Sequence, residues 1–267
     1  MKKVIMFLVI ALMSVTLSAT LFKNTSFAEE KIIVAAAEDK IVIAVDAANP
    51  PFMYGDADVA KGVYPGLLQK IFEKMGKTVE VKGYPWKRAL VMGEKGTAAV
   101  GGIYKNEARL KIFDYSDPIF DEKLNLYVRK GEIFVFKNIS DLSNNNIGVI
   151  RGWSYGDDFD KGIKDQIFKV EENVSDELNF KKLIAKRLSC VIAIEQSADM
   201  AIAKLGYQEK AQSLAESFAV NPTYLVFAKS QNKQALLEQF NNTLKTMKAD
   251  GSYEALIKEL FQQEAPK

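Results

Sequence analysis

The chain has 267 residues, and its 36 lysines and arginines against 34 aspartates and glutamates give a formal net charge of +2. Its 48% hydrophobic and 26% charged content is typical of one large or two small globular domains. It contains no basic run interleaved with aromatics, so nucleic acid is not an expected partner. Histidine is absent and there is a single cysteine. We therefore expect no intramolecular disulfide, no metal and no cofactor.

The amino terminus has the pattern of a secretory signal peptide. Lys2 and Lys3 precede an apolar stretch over residues 4–22, and the small residues before Glu29 suit cleavage after Ala28. The alternative is a retained membrane anchor, but four hydroxyl residues dilute the apolar run and no basic cluster follows it. We predict a signal peptide over 1–28, a spacer over 29–39 and a periplasmic mature protein.

The first part of the mature chain alternates predicted strands and helices. A β-branched run suits a buried parallel strand, and the loop that follows is rich in proline and aromatic residues. The predicted elements in chain order are a strand at 41–45, a helix at 66–75, a strand at 78–81, a helix at 87–93 and a strand at 97–103. This order predicts half of a doubly wound α/β unit, in which ligands bind at the carboxyl ends of the strands.

The last of these strands runs into the segment on which the functional interpretation depends. Gly102 and Tyr104 lead to a short helical turn that presents Arg109, and Ser-Asp-Pro at 116–118 ends the segment. A guanidinium group at a strand end suits a carboxylate, because its planar fork forms bidentate pairs. We predict that Arg109 receives the carboxylate of a small ligand in a cleft; the alternative is a solvated surface charge.

A second unit of the same kind is predicted after residue 120. Its elements are strands at 124–128, 147–150 and 190–194 and helices at 176–188 and 197–205. A glycine-flanked turn at 151–158 opens a helix whose exposed backbone N–H groups suit an anion. The chain then returns through a strand at 223–229 and two amphipathic helices at 232–248 and 253–261. Two proline-bearing turns, at 116–118 and 220–222, precede similar apolar strands, which predicts two lobes joined by two strands.

Four motifs follow one another in a fixed order along the chain. They are Asn-Pro-Pro-Phe at 49–52, Lys-Asn-Glu-Ala-Arg at 105–109, Ile-Gly-Val-Ile-Arg-Gly-Trp-Ser at 147–154 and Lys-Ala-Asp-Gly-Ser-Tyr at 248–253. Together they resemble the family 3 bacterial extracellular solute-binding proteins, the periplasmic components of amino-acid ABC transporters, over residues 40–263. The resemblance implies a two-lobed α/β fold of the type II periplasmic-binding-protein class, each lobe a mixed sheet flanked by helices. Lobe 1 would comprise 40–122 plus 223–267, and lobe 2 would comprise 123–222.

The same resemblance implies a set of ligand-binding residues. Arg109 would clamp the ligand carboxylate, and Ser154 with the backbone near Trp153 would bind it from the second lobe. Phe52 and Trp86 match the aromatic walls beside the ligand, with core packing as the alternative for each. The predicted set is Arg109, Ser154, Trp86, Phe52, Tyr104, Gly102, Trp153 and Glu195.

Several positions depart from the pattern of that family. Tyr104 stands where relatives often have a small or hydroxyl residue, so its phenol either replaces the hydroxyl or narrows the pocket. Trp153 is bulky for its position, and Arg151 adds a positive charge at the cleft mouth. Relatives carry an acid at the end of the strand over 190–194, where this chain has Ile194. Either Glu195 contacts an amino group of the ligand, or the ligand lacks that contact.

We predict a monomeric, non-enzymatic protein that binds a small carboxylate-bearing solute, an amino acid or a related compound. Closure about hinges near 120–122 and 221–223 would capture the solute for the membrane permease subunits of an ABC transporter. One alternative is an enzyme that resembles cyclohexadienyl dehydratases, with Glu195 as acid or base. The other is a ligand-loaded partner of a sensor or chemoreceptor, which would use the same pocket.

Overall fold

The computed structural model describes residues 40–264, so the predicted signal peptide and spacer and the last three residues lie outside the described range. The strands in this range are β1 (Ile41–Asp46), β2 (Ala48–Asn49), β3 (Met53–Gly55), β4 (Ala60–Lys61), β5 (Val79–Tyr84), β6 (Ala99–Tyr104), β7 (Phe113–Tyr115), β8 (Phe120–Arg129), β9 (Asn146–Ile150), β10 (Lys169–Asn173), β11 (Cys190–Ile194) and β12 (Ala211–Ala228). The α-helices are α1 (Val63–Lys74), α2 (Trp86–Glu94), α3 (Glu107–Leu110), α4 (Asp157–Lys164), α5 (Asp176–Ile184), α6 (Glu195–Leu205), α7 (Gln234–Ala249) and α8 (Ser252–Glu264). In the part of the chain described, none of these helices combines the length and apolar character that a membrane span requires.

Nine strands form one mixed sheet. Its order is β10-β9-β11-β8-β12-β6-β1-β5, and β7 also pairs with β12. Strand β1 runs parallel to β5 and β6, and β9 runs parallel to β10 and β11. The central strands β8 and β12 are antiparallel to each other. Strands β2, β3 and β4 form a separate small sheet.

The 18-residue strand β12 joins the two halves of the large sheet. Its residues 223–228 pair with β6 and β7, whereas its earlier residues pair with β8, which in turn pairs with β11. We call the half built on β1, β5, β6 and β7 lobe 1, and the half built on β9, β10 and β11 lobe 2. The two crossing segments, near 120–123 and 220–223, are paired to each other. The residue bounds predicted for the lobes stay a prediction.

Each lobe packs helices on its half of the sheet. In lobe 1, α1 buries Leu67, Leu68, Ile71 and Phe72, a spacing that forms one face of a helix. The Phe72 ring lies 5.6 Å from that of Phe240 in α7, measured between centroids. Burial of each such side chain stabilises the fold by about 1.5–3 kcal/mol relative to exposure. These helices hold β1 and β6 in place, so the loops that follow those strands have fixed positions.

The structure confirms most predicted elements but shifts some bounds. The helix predicted at 176–188 ends at Ile184, because Lys186 adopts a left-handed conformation (φ 59°) and the chain turns toward β11. The helix predicted at 66–75 begins at Val63, since Pro65 is tolerated in a first turn. The sequence did not predict β10 or the first half of β12, which are largely exposed and have no continuous apolar run.

Candidate ligand-binding cleft

The site forms where loops after the sheet strands of both lobes meet. Trp153, in the loop after β9, donates its indole N–H to Oδ2 of Asp46 at the end of β1, at 3.0 Å. Its ring centroid lies 6.1 Å from that of Tyr104 at the end of β6. Because Trp153 belongs to lobe 2 and both partners belong to lobe 1, the two lobes are in direct contact here.

Arg109 is a buried cation, held in place by the short helix α3. The Asn106 side chain caps this helix by accepting a hydrogen bond from the Arg109 backbone N–H at 2.8 Å. The Arg109 side chain is 9% exposed, and Nη1 donates to the Tyr104 carbonyl oxygen at 2.9 Å. Its guanidinium carbon lies 6.0 Å from the Trp86 ring centroid. Burial lowers the pKa of Arg109, but an arginine stays protonated at neutral pH.

No carboxylate of residues 40–264 lies within ion-pair distance of the Arg109 guanidinium. The carboxylates of Asp160 and Glu94 attract the Arg109 charge only from beyond ion-pair distance. A buried charge without a close counter-ion is costly unless a partner arrives from outside. The one side-chain hydrogen bond of Arg109 among these residues goes to a neutral carbonyl, so other guanidinium N–H groups remain for a further acceptor. A carboxylate is the acceptor that matches this geometry best.

A cavity of about 10 Å³ adjoins Arg109, and six of the eight predicted site residues line it together with Glu122. The lining residues are Trp86, Gly102, Tyr104, Arg109, Glu122, Trp153 and Ser154. This volume is about that of a single water-sized probe. The Tyr104 and Trp153 rings, which are in edge-to-face contact, both line it. A solute larger than water therefore requires the lobes to separate or these rings to turn.

Gly102 contributes backbone rather than a side chain. Its φ of 73° lies in the left-handed region, and an added Cβ would come within 2.7 Å of Tyr64 Cδ2 and 2.9 Å of Met53 Sδ. Only glycine avoids both the strained φ and the collision. The small residue at this position thus has a packing reason that is independent of any ligand.

Glu122, in β8, lines the small cavity and is a residue that the sequence interpretation missed. It is 1% exposed and accepts hydrogen bonds from the phenols of Tyr64 and Tyr104. Burial raises the pKa of Glu122 to about 7, although both hydrogen bonds oppose the shift. The alternation of β8 contains the signal, because Glu122 shares a face with the buried Leu124 and Leu126. This alternation predicts an inward-facing acid at the hinge.

Ser154 lies on the lobe 2 side of the small cavity. Its hydroxyl donates to Oδ2 of Asp160 in α4 at 2.6 Å, and the side chain is buried. Two further hydrogen bonds link the lobes nearby. The Glu107 backbone N–H donates to Oδ1 of Asp157 at 3.3 Å, and the Ser197 hydroxyl donates to Oδ1 of Asn49 at 2.8 Å. The structure is therefore a closed arrangement of the cleft.

The structure does not bring Phe52 to this cavity. Phe52 is fully buried, and its ring centroid lies 5.2 Å from that of Tyr64 and 5.6 Å from those of Phe120 and Phe261. This position corresponds to the core-packing alternative. An apolar ring gains more from this aromatic cluster than from a cleft that contains water.

Glu195 also lies away from the small cavity. It is the first residue of α6, where Oε1 accepts hydrogen bonds from Lys123 Nζ at 2.9 Å and Asn125 Nδ2 at 3.2 Å. The Lys123 bond lowers the pKa of Glu195. Ile194, which is buried, occupies the strand end where relatives carry an acid. Glu195 follows at the start of α6, so a contact of Glu195 with an amino group of the solute stays a prediction.

A second cavity, of about 850 Å³, is lined by residues of both lobes, including Ala47 and Ala48, which follow Asp46. Its walls come from the β1–β2 turn, β3, the start of α5, α6 and the end of α8. The lining residues are Ala47, Ala48, Pro50, Tyr54, Ser175, Asp176, Glu177, Ser197, Met200, Ala201, Ala203, Lys204, Gln263 and Glu264. We call it the side cavity. None of these residues is among the predicted site residues, because they come from segments far apart in the sequence.

The family described as bacterial extracellular solute-binding proteins, family 3, matches residues 41–263, and the chain belongs to this family. It is 21% identical over 240 residues to the L-cystine-binding protein TcyJ of Escherichia coli (strain K12), with 88% of each chain covered. The fold is therefore the two-lobed α/β fold of periplasmic binding proteins, and the class is that of the bacterial extracellular solute-binding proteins.

Solved structures show the same architecture. An ancestral arginine-binding protein bound to arginine superposes with a TM-score of 0.70 at 26% identity, covering 83% of this chain and 98% of that one. The substrate-binding protein AbpA of Streptococcus pneumoniae, bound to L-arginine, gives a TM-score of 0.70 at 20% identity, covering 86% and 98%. A histidine kinase sensor domain with similarity to periplasmic binding proteins gives a TM-score of 0.72 at 18% identity, covering 83% and 96%. The last two likenesses concern the fold alone.

Proposed function

We propose that this protein binds a small carboxylate-bearing solute, an amino acid or a related compound, in the periplasm and delivers it to the permease subunits of an ABC transporter. The observation that carries the proposal is Arg109, a buried guanidinium group without a carboxylate partner in residues 40–264. It stands beside Trp86 and opposite Ser154, on the wall of a cavity between two lobes. Bound solute would supply the missing negative charge.

The energetics favour capture by closure. Charge-assisted hydrogen bonds to a buried guanidinium contribute about 1.5–3 kcal/mol each. Groups of lobe 2, including Ser154 and the N–H groups near Trp153, would add contacts only when the cleft closes. A solute that contacts both lobes therefore shifts the population toward the closed form by its difference in affinity for the two states. We place the hinges near 120–122 and 221–223, between lobe 1 at 40–122 plus 223–267 and lobe 2 at 123–222.

The named relatives support an amino acid as the class of solute. TcyJ is named for L-cystine, and the ancestral protein has been solved with arginine and with glutamine. These three compounds have very different side chains but share an α-carboxylate. The carboxylate is thus the part of the solute that we assign first, to Arg109.

The experiment is a thermal-shift screen of the purified mature protein against amino acids, small peptides and organic acids. We expect at least one carboxylate to raise the melting temperature of the wild type and to leave that of Arg109→Ala unchanged. Arg187→Ala, which removes an exposed arginine of lobe 2, is the matched control and should respond like the wild type. Stabilisation of Arg109→Ala by the same carboxylate would refute the assignment.

We propose a non-enzymatic, monomeric role. The acid–base residue of the enzyme alternative was Glu195, which is paired with Lys123 and lies away from the small cavity. A chromatographic assay with prephenate and arogenate tests this point, and turnover of either compound by the purified protein would contradict it. Light scattering on the same sample should give the mass of one chain.

A further inference from the structure

Glu122 lies in a segment at which the chain crosses between the lobes. In β8 it is in register with Asn221 of β12, the second crossing segment. Its side chain is 1% exposed, and it accepts hydrogen bonds from the phenols of Tyr64 in α1 and Tyr104 in β6. The Thr223 hydroxyl in turn donates to the Tyr64 phenol oxygen at 3.3 Å. A buried acid thus connects two elements of lobe 1 at the proposed hinge.

The Glu122 carboxyl group has hydrogen-bond donors but no cation. None of the ion pairs among residues 40–264 involves Glu122, and both of its donors are neutral phenols. A buried carboxylate without a cation is unfavourable. Burial accordingly raises the pKa of Glu122 to about 7, although the two hydrogen bonds oppose the shift. The closed form therefore favours the protonated, neutral carboxyl group.

Glu122 is the group in this part of the molecule that titrates near neutral pH. The other titratable and charged groups that face it, directly or beside its two phenols, are Tyr64 of α1, Tyr104 of β6, Arg109 of α3, Tyr253 of α8 and Tyr155 before α4. Burial raises the pKa of each of these tyrosines, and an arginine stays protonated at neutral pH. Within this set, only Glu122 changes its charge between about pH 5 and pH 8.

We propose that Glu122 is a positioning residue whose protonation favours closure of the cleft, and that loss of the proton favours the open form. Tyr104 connects this acid to the solute site, because its phenol donates to Glu122 and its carbonyl oxygen accepts from Arg109 Nη1 at 2.9 Å. This inference rests on the proposed function, since closure is the step by which the protein would capture its solute. It adds that capture is linked to uptake of a proton.

The small cavity connects Glu122 to the movement of the lobes. Trp153 and Ser154 of lobe 2 line this cavity together with Glu122. Opening of the cleft withdraws both side chains and admits water to the carboxyl group. Because water stabilises the ionised form, opening lowers the pKa of Glu122 toward its ordinary value of 4.5. The closed form therefore binds the proton more tightly than the open form.

The direction of the pH dependence follows from this difference. The ratio of closed to open protein is highest at low pH and falls as the pH rises toward about 7, the pKa of Glu122 in the closed form. The fall is about tenfold for each unit by which the two pKa values differ. We expect a fall of at least about tenfold between pH 5.5 and pH 8. A solute held by the closed form would be released more readily at the higher pH.

Two measurements on the purified, solute-free protein test the inference. Small-angle scattering should show a radius of gyration that increases from pH 5.5 to pH 8. Infrared difference spectroscopy should show the carbonyl band of a protonated carboxyl group, which disappears over the same interval. Glu122→Gln, which is neutral at every pH, should show neither change. Asp176→Asn is the matched control, because burial also raises the pKa of Asp176 to about 7, and it should keep the increase in radius and the Glu122 band.

Each outcome decides for or against the proton-linked closure. An equal radius at pH 5.5 and pH 8 in the wild type, or an increase that Glu122→Gln keeps, would overturn it. Loss of the increase in Asp176→Asn would assign the effect to that residue instead. If Glu122→Gln does not fold, Tyr104→Phe decides. It removes a hydrogen bond that lowers the pKa of Glu122, so the increase in radius should move to higher pH, and an unmoved transition would contradict the role of Glu122.

These measurements are independent of the carboxylate assignment, because neither of them uses a solute. If Arg109→Ala responds to the same carboxylate as the wild type in the thermal-shift screen, the assignment of Arg109 fails while the pH-dependent closure still stands. If the radius does not change with pH, the proton-linked closure fails while the carboxylate assignment still stands.

Discussion

Tyr104 links the two buried ionisable residues of the small cavity. Its backbone carbonyl accepts a hydrogen bond from Arg109, and its phenol donates to Glu122. Tyr104 was one of the departures from the pattern of relatives, and its contact explains why a larger side chain is accommodated. Because Tyr104 forms hydrogen bonds with both Arg109 and Glu122, it positions these two side chains relative to each other. This one residue therefore contributes directly to the shape of the small cavity.

Among single-residue changes, Gly102→Ala should destabilise the fold markedly. The substitution combines left-handed φ strain with a collision against Tyr64 and Met53, which together cost about 3 kcal/mol. Gly76→Ala is the matched control, because Gly76 has a similar φ of 70° and no described heavy atom lies within 4 Å of the position that an added Cβ would occupy. It should lose only about 1 kcal/mol. Urea unfolding of both variants checks the difference, and equal losses would contradict it.

Glu122 predicts a pH dependence of stability. Its pKa rises from an ordinary value of 4.5 to about 7 on folding, so the folded state binds the proton more tightly than the unfolded state. The contribution of Glu122 to the free energy of unfolding is therefore fully present below about pH 4.5. It is lost as the pH rises through about 7, and the total loss is about 3 kcal/mol. Asp176 acts with the same sign.

Glu122→Gln should remove the Glu122 part of this dependence. The free energy of unfolding, measured in urea at several values between pH 4.5 and pH 8, should fall less steeply in the variant than in the wild type. Asp176→Asn should remove the part that is due to Asp176. Identical slopes for Glu122→Gln and the wild type would show that Glu122 does not take up a proton on folding.

At the scale of elements, the helix that carries Arg109 is unusually short. Helix α3 has four residues, and such a helix has little stability of its own. Its Asn106 cap is therefore important, because the cap bonds the backbone of Arg109 itself. The position of the guanidinium depends on this cap as well as on the packing beside Trp86.

Asn106→Ala should lower stability by about 1 kcal/mol and also weaken solute binding. Asn138→Ala provides the matched control, since Asn138 caps the 3₁₀ turn at Ile139–Leu142. Neither Asn106 nor Asn138 lines the small cavity or the side cavity. That variant should lose similar stability and bind normally. Calorimetry with the solute found by the thermal-shift screen measures the difference. Equal affinities for the two variants would mean that α3 holds its position without the cap.

At the scale of the whole molecule, the closed cleft is held by a few bonds between the lobes. They include the Trp153 bond to Asp46, the Ser197 bond to Asn49 and an ion pair of Lys87 with Glu172 at 3.6 Å. Such a small number of polar contacts does not commit the protein to one state. The balance between open and closed forms is then sensitive to a bound solute, as capture by closure requires.

Trp153→Phe should shift this balance toward the open form. It keeps an aromatic ring but removes the N–H donor, so Asp46 would be buried in the closed form with one partner fewer. Small-angle scattering should show a larger radius of gyration for the solute-free variant than for the solute-free wild type. Saturating solute should return the variant to the compact value. An unchanged radius without solute would show that this bond does not contribute to closure.

Local sequence patterns were sufficient to predict the α/β class, the order of the main strands and helices, and Arg109, whereas the other five predicted residues that line the small cavity came from the resemblance to the family. The features predicted from local patterns follow from local rules. Apolar β-branched runs form buried strands, and an arginine after a strand end, near the turn at 116–118, lies where such sheets bind ligands. A local sequence pattern is enough to predict a feature when the residues that determine the feature lie within a few positions of it.

The remaining features depend on the tertiary structure. It places Phe52 in the core and Glu195 against Lys123, and it sets Asp46 opposite Asp176 across the cleft. Residues from distant parts of the chain meet in each case. Their environment depends on how the strands are ordered and how the lobes close, and no local periodicity encodes that. Buried charges without a partner become visible only when every neighbour is known, because their cost arises from the absence of water and counter-ions.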